Sequence, residues 1–361
     1  PTAAGRRARR VKGVQSIRTH APPWAPFVQK PRPDRHGFAP ADPPPVVYWL
    51  ELAGEADIFA ALEATAVSSG LQVRAPGIAT ARAIDTTGVA NAAFTRAAGR
   101  LLGWSDADPD SASALLRSAD LDISSGTVAV RARDVRATAG VDTQAIERAL
   151  GAVLVDRGFT IDLEDPDHEL RALCAAGDLG RDPAADPTDP LDPVAAGAVD
   201  TDPTESFCAL GWTSVRGERS FAQRAPTERP FFQPGSMDPL LARACVILAG
   251  ARPGRRLLDP MCGTGGTLIE AGLIGASVLG VDADRRMVTG TRENLTDAVD
   301  DWQGELVCGD AARLPLAADS VDGFVVDVPY GRQSAIAATD ATSLVASALT
   351  ELRRAAPRGV L

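Results

Sequence analysis

The sequence predicts an α/β protein with two folded regions, and three observations carry that prediction. Short runs of Val, Ile, Leu and Tyr alternate with Ala-rich helical stretches from Val46 onward. Two Pro-rich segments without sustained apolar periodicity, residues 1–45 and 178–205, flank the first region. In the second region one strand-like run opens into a glycine turn and a helix, and two later runs end in Asp. With 361 residues, 45% hydrophobic and 23% charged, the chain can bury enough apolar surface to offset the entropy of ordering.

In chain order, residues 1–45 are basic, carry Pro22, Pro23, Pro26, Pro31, Pro33, Pro40 and Pro43 to Pro45, and are expected to be a flexible tail. Residues 46–177 form the first α/β region. There 46–52 reads as a strand, 56–69 as a helix ended by Gly70, and 91–102 as a second helix. The alternation over 127–133 predicts a strand, 143–157 a helix punctuated by Gly158, and 159–163 another strand. Residues 178–205 intersperse seven Asp with five Pro and read as an acidic linker. Residues 206–230 form an Arg-rich connector, with Arg216, Arg219, Arg224 and Arg229, into a C-terminal domain spanning 231–361.

Charge is distributed unevenly. Residues 1–40 hold seven Arg, both Lys and one Asp, a net of +8, which leaves −18 on the rest of a chain whose total is −10. A long acidic body with arginine as its sole cation is the composition of a protein that stays soluble in concentrated salt, so a halophilic source is expected. At high ionic strength a negative net charge no longer argues against a nucleic-acid partner, because phosphate attraction is screened and local arginine placement matters more. The five cysteines form no C-x-x-C and the three histidines are widely spaced, so no disulfide framework, metal site or Ser-His-Asp triad is expected. No run approaches the length of a membrane span, and the basic start lacks the apolar stretch of a secretory signal. A cytoplasmic protein, monomeric by default, is the expectation.

The chemistry concentrates in Arg256-Leu257-Leu258-Asp259-Pro260-Met261-Cys262-Gly263-Thr264-Gly265-Gly266-Thr267. Glycines at the end of a strand let backbone approach a ligand, and the next helix offers free N–H groups. Residues 278–282 then end in Asp282, placed to hold a ribose diol, and 306–310 end in Asp310, placed with Ala311 at an adenine amine. A capping role explains each acid singly; three strand ends in register make a joint structural explanation improbable. The turn departs from the G-x-G-x-x-G of dinucleotide sites, and Asp259 would repel a pyrophosphate while suiting a cationic amino-acid group. S-adenosylmethionine, with its ammonium and sulfonium and no phosphate, is therefore favoured over NAD. Next comes Asp327-Val328-Pro329-Tyr330. An exocyclic base nitrogen is a poor nucleophile whose N–H groups need acceptors, which the Asp327 carboxylate and the Val328 carbonyl supply, while Tyr330 stacks on the base and Pro329 stiffens the turn.

These motifs resemble the amino-methyltransferases with a D/N-P-P-Y signature, and more closely the archaeal tRNA guanine-10 N2-methyltransferase family. That resemblance implies a Rossmann-like class I methyltransferase domain preceded by an α/β RNA-binding THUMP region, with tRNA as partner. Residues 231–243, from Phe231-Phe232-Gln233-Pro234-Gly235-Ser236 onward, look like the family's entry into the catalytic domain, which implies Gln233 and Pro234 at the methionine end of the cofactor. Met261, Gly263, Thr264 and Gly265 would line the same cofactor. Segments 128–135 and 143–171 look like THUMP. Val328 departs from the family's first Pro, and the sequence stops at Gly359-Val360-Leu361, where a fifth strand begins and such domains continue, so the expected catalytic sheet is cut short. The resemblance implies methylation of guanine N2, once and then twice. A THUMP methyltransferase for another tRNA or ribosomal guanine, a non-catalytic RNA-binding protein and, third, an oxidoreductase remain as alternatives.

Overall fold

The computed structural model describes residues 46–53, 57–176, 206–217, 220–328, 338–356 and 359–360. The basic head, the acidic stretch 178–205, and Pro329 and Tyr330 lie outside the described residues.

The first part runs β1 (Tyr48–Leu52), α1 (Asp57–Ala66), β2 (Ser68–Ser69), β3 (Gln72–Ala75), β4 (Ile78–Ala81), β5 (Ala83–Ile84), α2 (Thr86–Asn91) and β6 (Thr95–Asp106). It continues through α3 (Pro109–Ser118), β7 (Thr127–Asp134), α4 (Thr143–Asp156), β8 (Thr160–Ile161), β9 (His168–Ala176) and β10 (Ser206–Arg216). Eight of these strands form one sheet in the order β3-β4-β1-β6-β10-β9-β7-β8, antiparallel except for the β9-β7-β8 edge. Local chemistry starts the helices: Asp108 caps α3 by accepting from Asp110 and Ser111 N–H with Pro109 in the first turn, and Asp142 caps α4.

Two expectations are corrected here. The stretch expected as a helix over 91–102 is the end of α2 followed by β6, a long central strand paired with β1 and β10. Its Ala-rich sequence has high helix propensity, but tertiary pairing decides. A Cβ on Gly99 would stand 1.8 Å from the Trp212 carbonyl oxygen, so this glycine permits the β6–β10 contact. The second concerns Ser206–Arg216, assigned to the connector: it is β10, in the interior of the sheet between β6 and β9.

The second part holds α5 (Pro239–Leu248), β11 (Arg256–Asp259), α6 (Gly266–Leu273), β12 (Ser277–Asp282), α7 (Arg285–Ala298), β13 (Gly304–Cys308), β14 (Gly323–Val325), α8 (Ala338–Ala355) and β15 (Gly359–Val360). The five strands are all parallel in the order β13-β12-β11-β14-β15. The order doubles back at β11, which makes a crevice at the carboxyl ends of β11 and its neighbours, the place where open α/β sheets bind ligands. This is a Rossmann-like, doubly wound arrangement.

One apolar cluster joins the two parts. Leu50, Ala60, Val89 and Phe94 pack in the same core as Val246, Leu268, Val278 and Leu295. Arg243, buried on α5, crosses this junction: its Nη1 donates to the Asn91 carbonyl at 3.1 Å, and its Nη2 pairs with the buried Glu270 of α6 at 2.8 Å. Arg224 holds the other Glu270 oxygen at 2.9 Å. Among the described residues no helix is long and apolar enough to cross a membrane.

Candidate active site

The chain leaves β11 at Asp259 and turns through residues 260–265 into α6. Gly263 and Gly265 have φ of 51° and 82°, left-handed values that side chains disfavour, and a Cβ on Gly265 would meet Thr291 Cγ2 at 2.7 Å. At these two positions the turn can only be bare backbone. It is fixed from several sides. Asp259, only 2% exposed, accepts from the Met261 N–H at 3.1 Å and from the Thr267 hydroxyl. The Gly263 N–H donates to Asp282 Oδ2 at 2.9 Å, and the Thr291 hydroxyl donates to the Gly263 carbonyl at 2.7 Å.

Asn294 on α7 carries the most connections. Its amide donates to the carbonyls of Thr264 at 2.9 Å and Phe231 at 2.8 Å, while its oxygen accepts from the Phe231 N–H at 2.8 Å. It thereby ties the entry segment to the glycine turn. The Ser236 hydroxyl adds a second tie, bonded to the Thr264 hydroxyl at 2.9 Å and to the Gln233 carbonyl at 2.8 Å, and this brings the Gln233–Pro234 loop against the turn. Thr267, Thr291 and Asn294 were not singled out from sequence. A Thr or Asn on a helix looks alike whether it faces water or core, and only their burial, 1% exposure for Asn294, marks them.

The expected acids fall at the ends of adjacent strands. Asp282 closes β12, and each of its oxygens already accepts one backbone N–H, from Gly263 and from Asp284 at 2.9 Å; a lone pair on each remains for a diol. Asp310 follows β13 and accepts from the Ala312 N–H at 2.8 Å, starting a short 3-10 turn in which Ala311 is buried. Asp327 and Val328 follow β14. Asp259 differs from expectation in one respect: it is buried beneath the turn rather than open to the crevice.

Those carboxylates feel one another. Burial pushes Asp259 up to about 7 against its hydrogen bonds to Thr267 and Met261, and the charges of Asp282 and Asp327 push it further. Burial also raises Asp327. The Cys245 thiol on α5 is pushed up to about 11 by burial and by Asp327. None of Asp259, Asp282 or Asp327 forms an ion pair among the described residues. The crevice thus gathers three carboxylates, none in an ion pair among the described residues, around the glycine turn. Such a pocket suits a cationic ligand with a diol and disfavours phosphate.

Residues 226–360 match a family described as UPF0020: RMKL-like, methyltransferase domain. The chain is 39% identical over 193 residues to a tRNA (guanine(10)-N2)-dimethyltransferase of Methanothermobacter thermautotrophicus, covering 53% of this chain and 48% of that protein. It is 43% identical over 127 residues to the protein of that same name from Methanocaldococcus jannaschii, covering 34% and 36%. A tRNA (guanine(6)-N2)-methyltransferase of Thermus thermophilus is 35% identical over 131 residues, covering 32% and 38%. The chain spans half or less of the length of each of these relatives.

Proposed function

We propose, from the premise that residues 226–360 are an RMKL-like methyltransferase domain, that this protein transfers methyl from S-adenosylmethionine to the exocyclic N2 of a tRNA guanine. The observation that carries the reading is the cluster of Asp259, Asp282 and Asp327 around the Gly263–Gly265 turn, none of them in an ion pair among the described residues. The cofactor would supply a methyl group on a sulfonium and bring positive charge to these carboxylates. Asp282 would take the ribose, Asp310 and Ala311 the adenine, and the turn from Met261 to Gly265 with Gln233 and Pro234 the methionine end. Asp259 would favour the ammonium from beneath the turn.

On the base side, Asp327 and the Val328 carbonyl accept the two N2 hydrogens and so direct the nitrogen lone pair at the methyl carbon. The carbon–nitrogen bond forms as the carbon–sulfur bond breaks, and N2 then releases one proton. A raised carboxylate such as Asp327 is a better proton acceptor than an ordinary one. Pro329 and Tyr330 complete the loop in this reading, Tyr330 by stacking on a base splayed out of the RNA. The first region, read as THUMP, would hold the folded RNA in a salt-adapted, cytoplasmic protein. The names of the two archaeal relatives favour guanine 10 and two methyl groups, and that of the Thermus protein marks guanine 6 as the second reading.

Nucleoside mass spectrometry of unmodified tRNA incubated with the protein and S-adenosylmethionine tests this. N2-methylguanosine is expected, and label found only on adenine or ribose would overturn it. Mapping the modified position then separates the two readings.

A further inference from the structure

Three arginines among the described residues, Arg171, Arg229 and Arg256, keep a buried nitrogen without a hydrogen-bond partner. Arg171 and Arg256 each spend another nitrogen on a carboxylate, of Glu51 and Glu169 for the first and of Glu305 for the second. Arg229 forms no ion pair among the described residues. Its Nε and Nη2 both donate to the Arg224 carbonyl, at 3.3 and 3.2 Å, and its Nη1 is the nitrogen left over.

Gly266, the first residue of α6 and the one that follows the glycine turn, fixes where that nitrogen lies. A Cβ there would stand 3.2 Å from Arg229 Nη1, 3.8 Å from its Nη2 and 3.8 Å from the Met237 carbonyl oxygen. The guanidinium therefore rests against the bare first turn of α6, beside the same entry segment whose Ser236 bonds Thr264. Charge there runs opposite to that at the strand ends. Arg224 and Arg243 between them already engage both oxygens of the buried Glu270. Burial lowers the Arg229 pKa, with Arg224 acting in the same direction and Glu270 and Asp238 against it. The start of α6 adds the positive end of its dipole. A buried donor without an acceptor is costly, and an anionic group of a ligand would supply the acceptor.

We propose that Arg229 binds the carboxylate at the amino-acid end of the cofactor, with Nη1 donating to a carboxylate oxygen. The inference rests on the reading of the crevice as a site for S-adenosylmethionine. The two signs of charge at that end then have separate partners: the strand-end acids for the ammonium and sulfonium, and Arg229 for the carboxylate. An RNA phosphate could use the same donor, but Nη1 is enclosed against Gly266, where the small terminal group of a ligand lying along the turn fits better than a polynucleotide backbone.

Calorimetry on the full chain compares S-adenosylmethionine with its decarboxylated analogue in wild type, Arg229→Gln and Arg229→Lys, with filter binding of tRNA and melting by circular dichroism alongside. The analogue carries one more net positive charge, so the crevice acids alone would favour it. Wild type should nonetheless bind S-adenosylmethionine at least about tenfold more tightly, the size of a charge-assisted hydrogen bond. Arg229→Gln should lose about tenfold for S-adenosylmethionine and stay within about twofold for the analogue, so that the preference disappears. Arg229→Lys, which lacks the planar fork, should fall between. A wild type without preference overturns the assignment whether or not the variants fold. A full preference in both variants overturns it, as do equal losses for the two ligands, which mark a structural effect. Weakened tRNA binding with the preference intact gives the donor to an RNA phosphate and overturns it too. Any of these beside a wild type that binds S-adenosylmethionine and methylates tRNA leaves the methyltransferase reading standing, whereas a wild type that binds neither ligand overturns both.

Discussion

At the scale of single residues, the acidic crevice makes a pH prediction whose sign follows from burial. Asp259 sits near 7 in the folded chain against an ordinary 3.8, so the native state holds more protons than the unfolded state between these values. Its contribution to stability therefore falls as pH rises through that window, and above it the ionised carboxylate needs a cation. Cofactor affinity should tighten about tenfold from roughly pH 6 to 8 and flatten in Asp259→Asn; calorimetry giving the same slope for both would remove the proposed field effect. Asp327→Ala should leave cofactor binding within about threefold of wild type and lower methyl transfer on the order of 10²–10³-fold, and unchanged turnover would end its proposed role. Asn294→Ala removes a buried amide that serves three backbone groups and should cost about 2–4 kcal/mol in urea unfolding. The acids at strand ends were legible in sequence because a buried parallel strand reads as an apolar run, which makes a terminal Asp conspicuous. Asn294 was not legible, because no local pattern separates a buried amide from a solvated one.

Among elements, α7 shows how a local cost is retained for a contact. Replacing Gly290 by Ala would raise helix propensity by about 1 kcal/mol. The added Cβ would meet Phe231 at 2.0 Å, and overpacking costs about 1–3 kcal/mol. Gly290→Ala should thus be neutral to destabilising in a denaturant melt and should weaken cofactor binding by displacing the entry segment; a clear gain in stability with unchanged cofactor affinity would contradict the packing described. β6 teaches the opposite lesson. Its Ala-Ala-Gly-Arg-Leu-Leu sequence favours a helix locally, and its strand state depends on β10, whose residues lie more than 100 positions away in sequence. The same separation concealed β10 itself, which looked like the start of a connector until its pairing with β6 and β9 was visible.

For the whole molecule, the acidic body predicts a dependence on salt. With −18 on residues 41–361, self-repulsion should lower stability at low ionic strength, and the melting temperature should rise between low and molar potassium chloride. A flat or falling melting temperature would count against salt adaptation. The second half was readable from its motifs because β11, β12 and β13 each combine an apolar run with an Asp at or just after its end. The first half was readable only in pieces, since its sheet pairs distant and partly polar strands. The apolar cluster in which Leu50 and Val89 pack with Val246 and Val278 has a further consequence for descent. The two halves cannot be shuffled as independent cassettes: a second half inherited from another lineage would arrive with mismatched core side chains and without the arginine that the Asn91 carbonyl receives. Changes in ligand preference are then more readily acquired by surface substitution on a fixed frame than by exchange of one half.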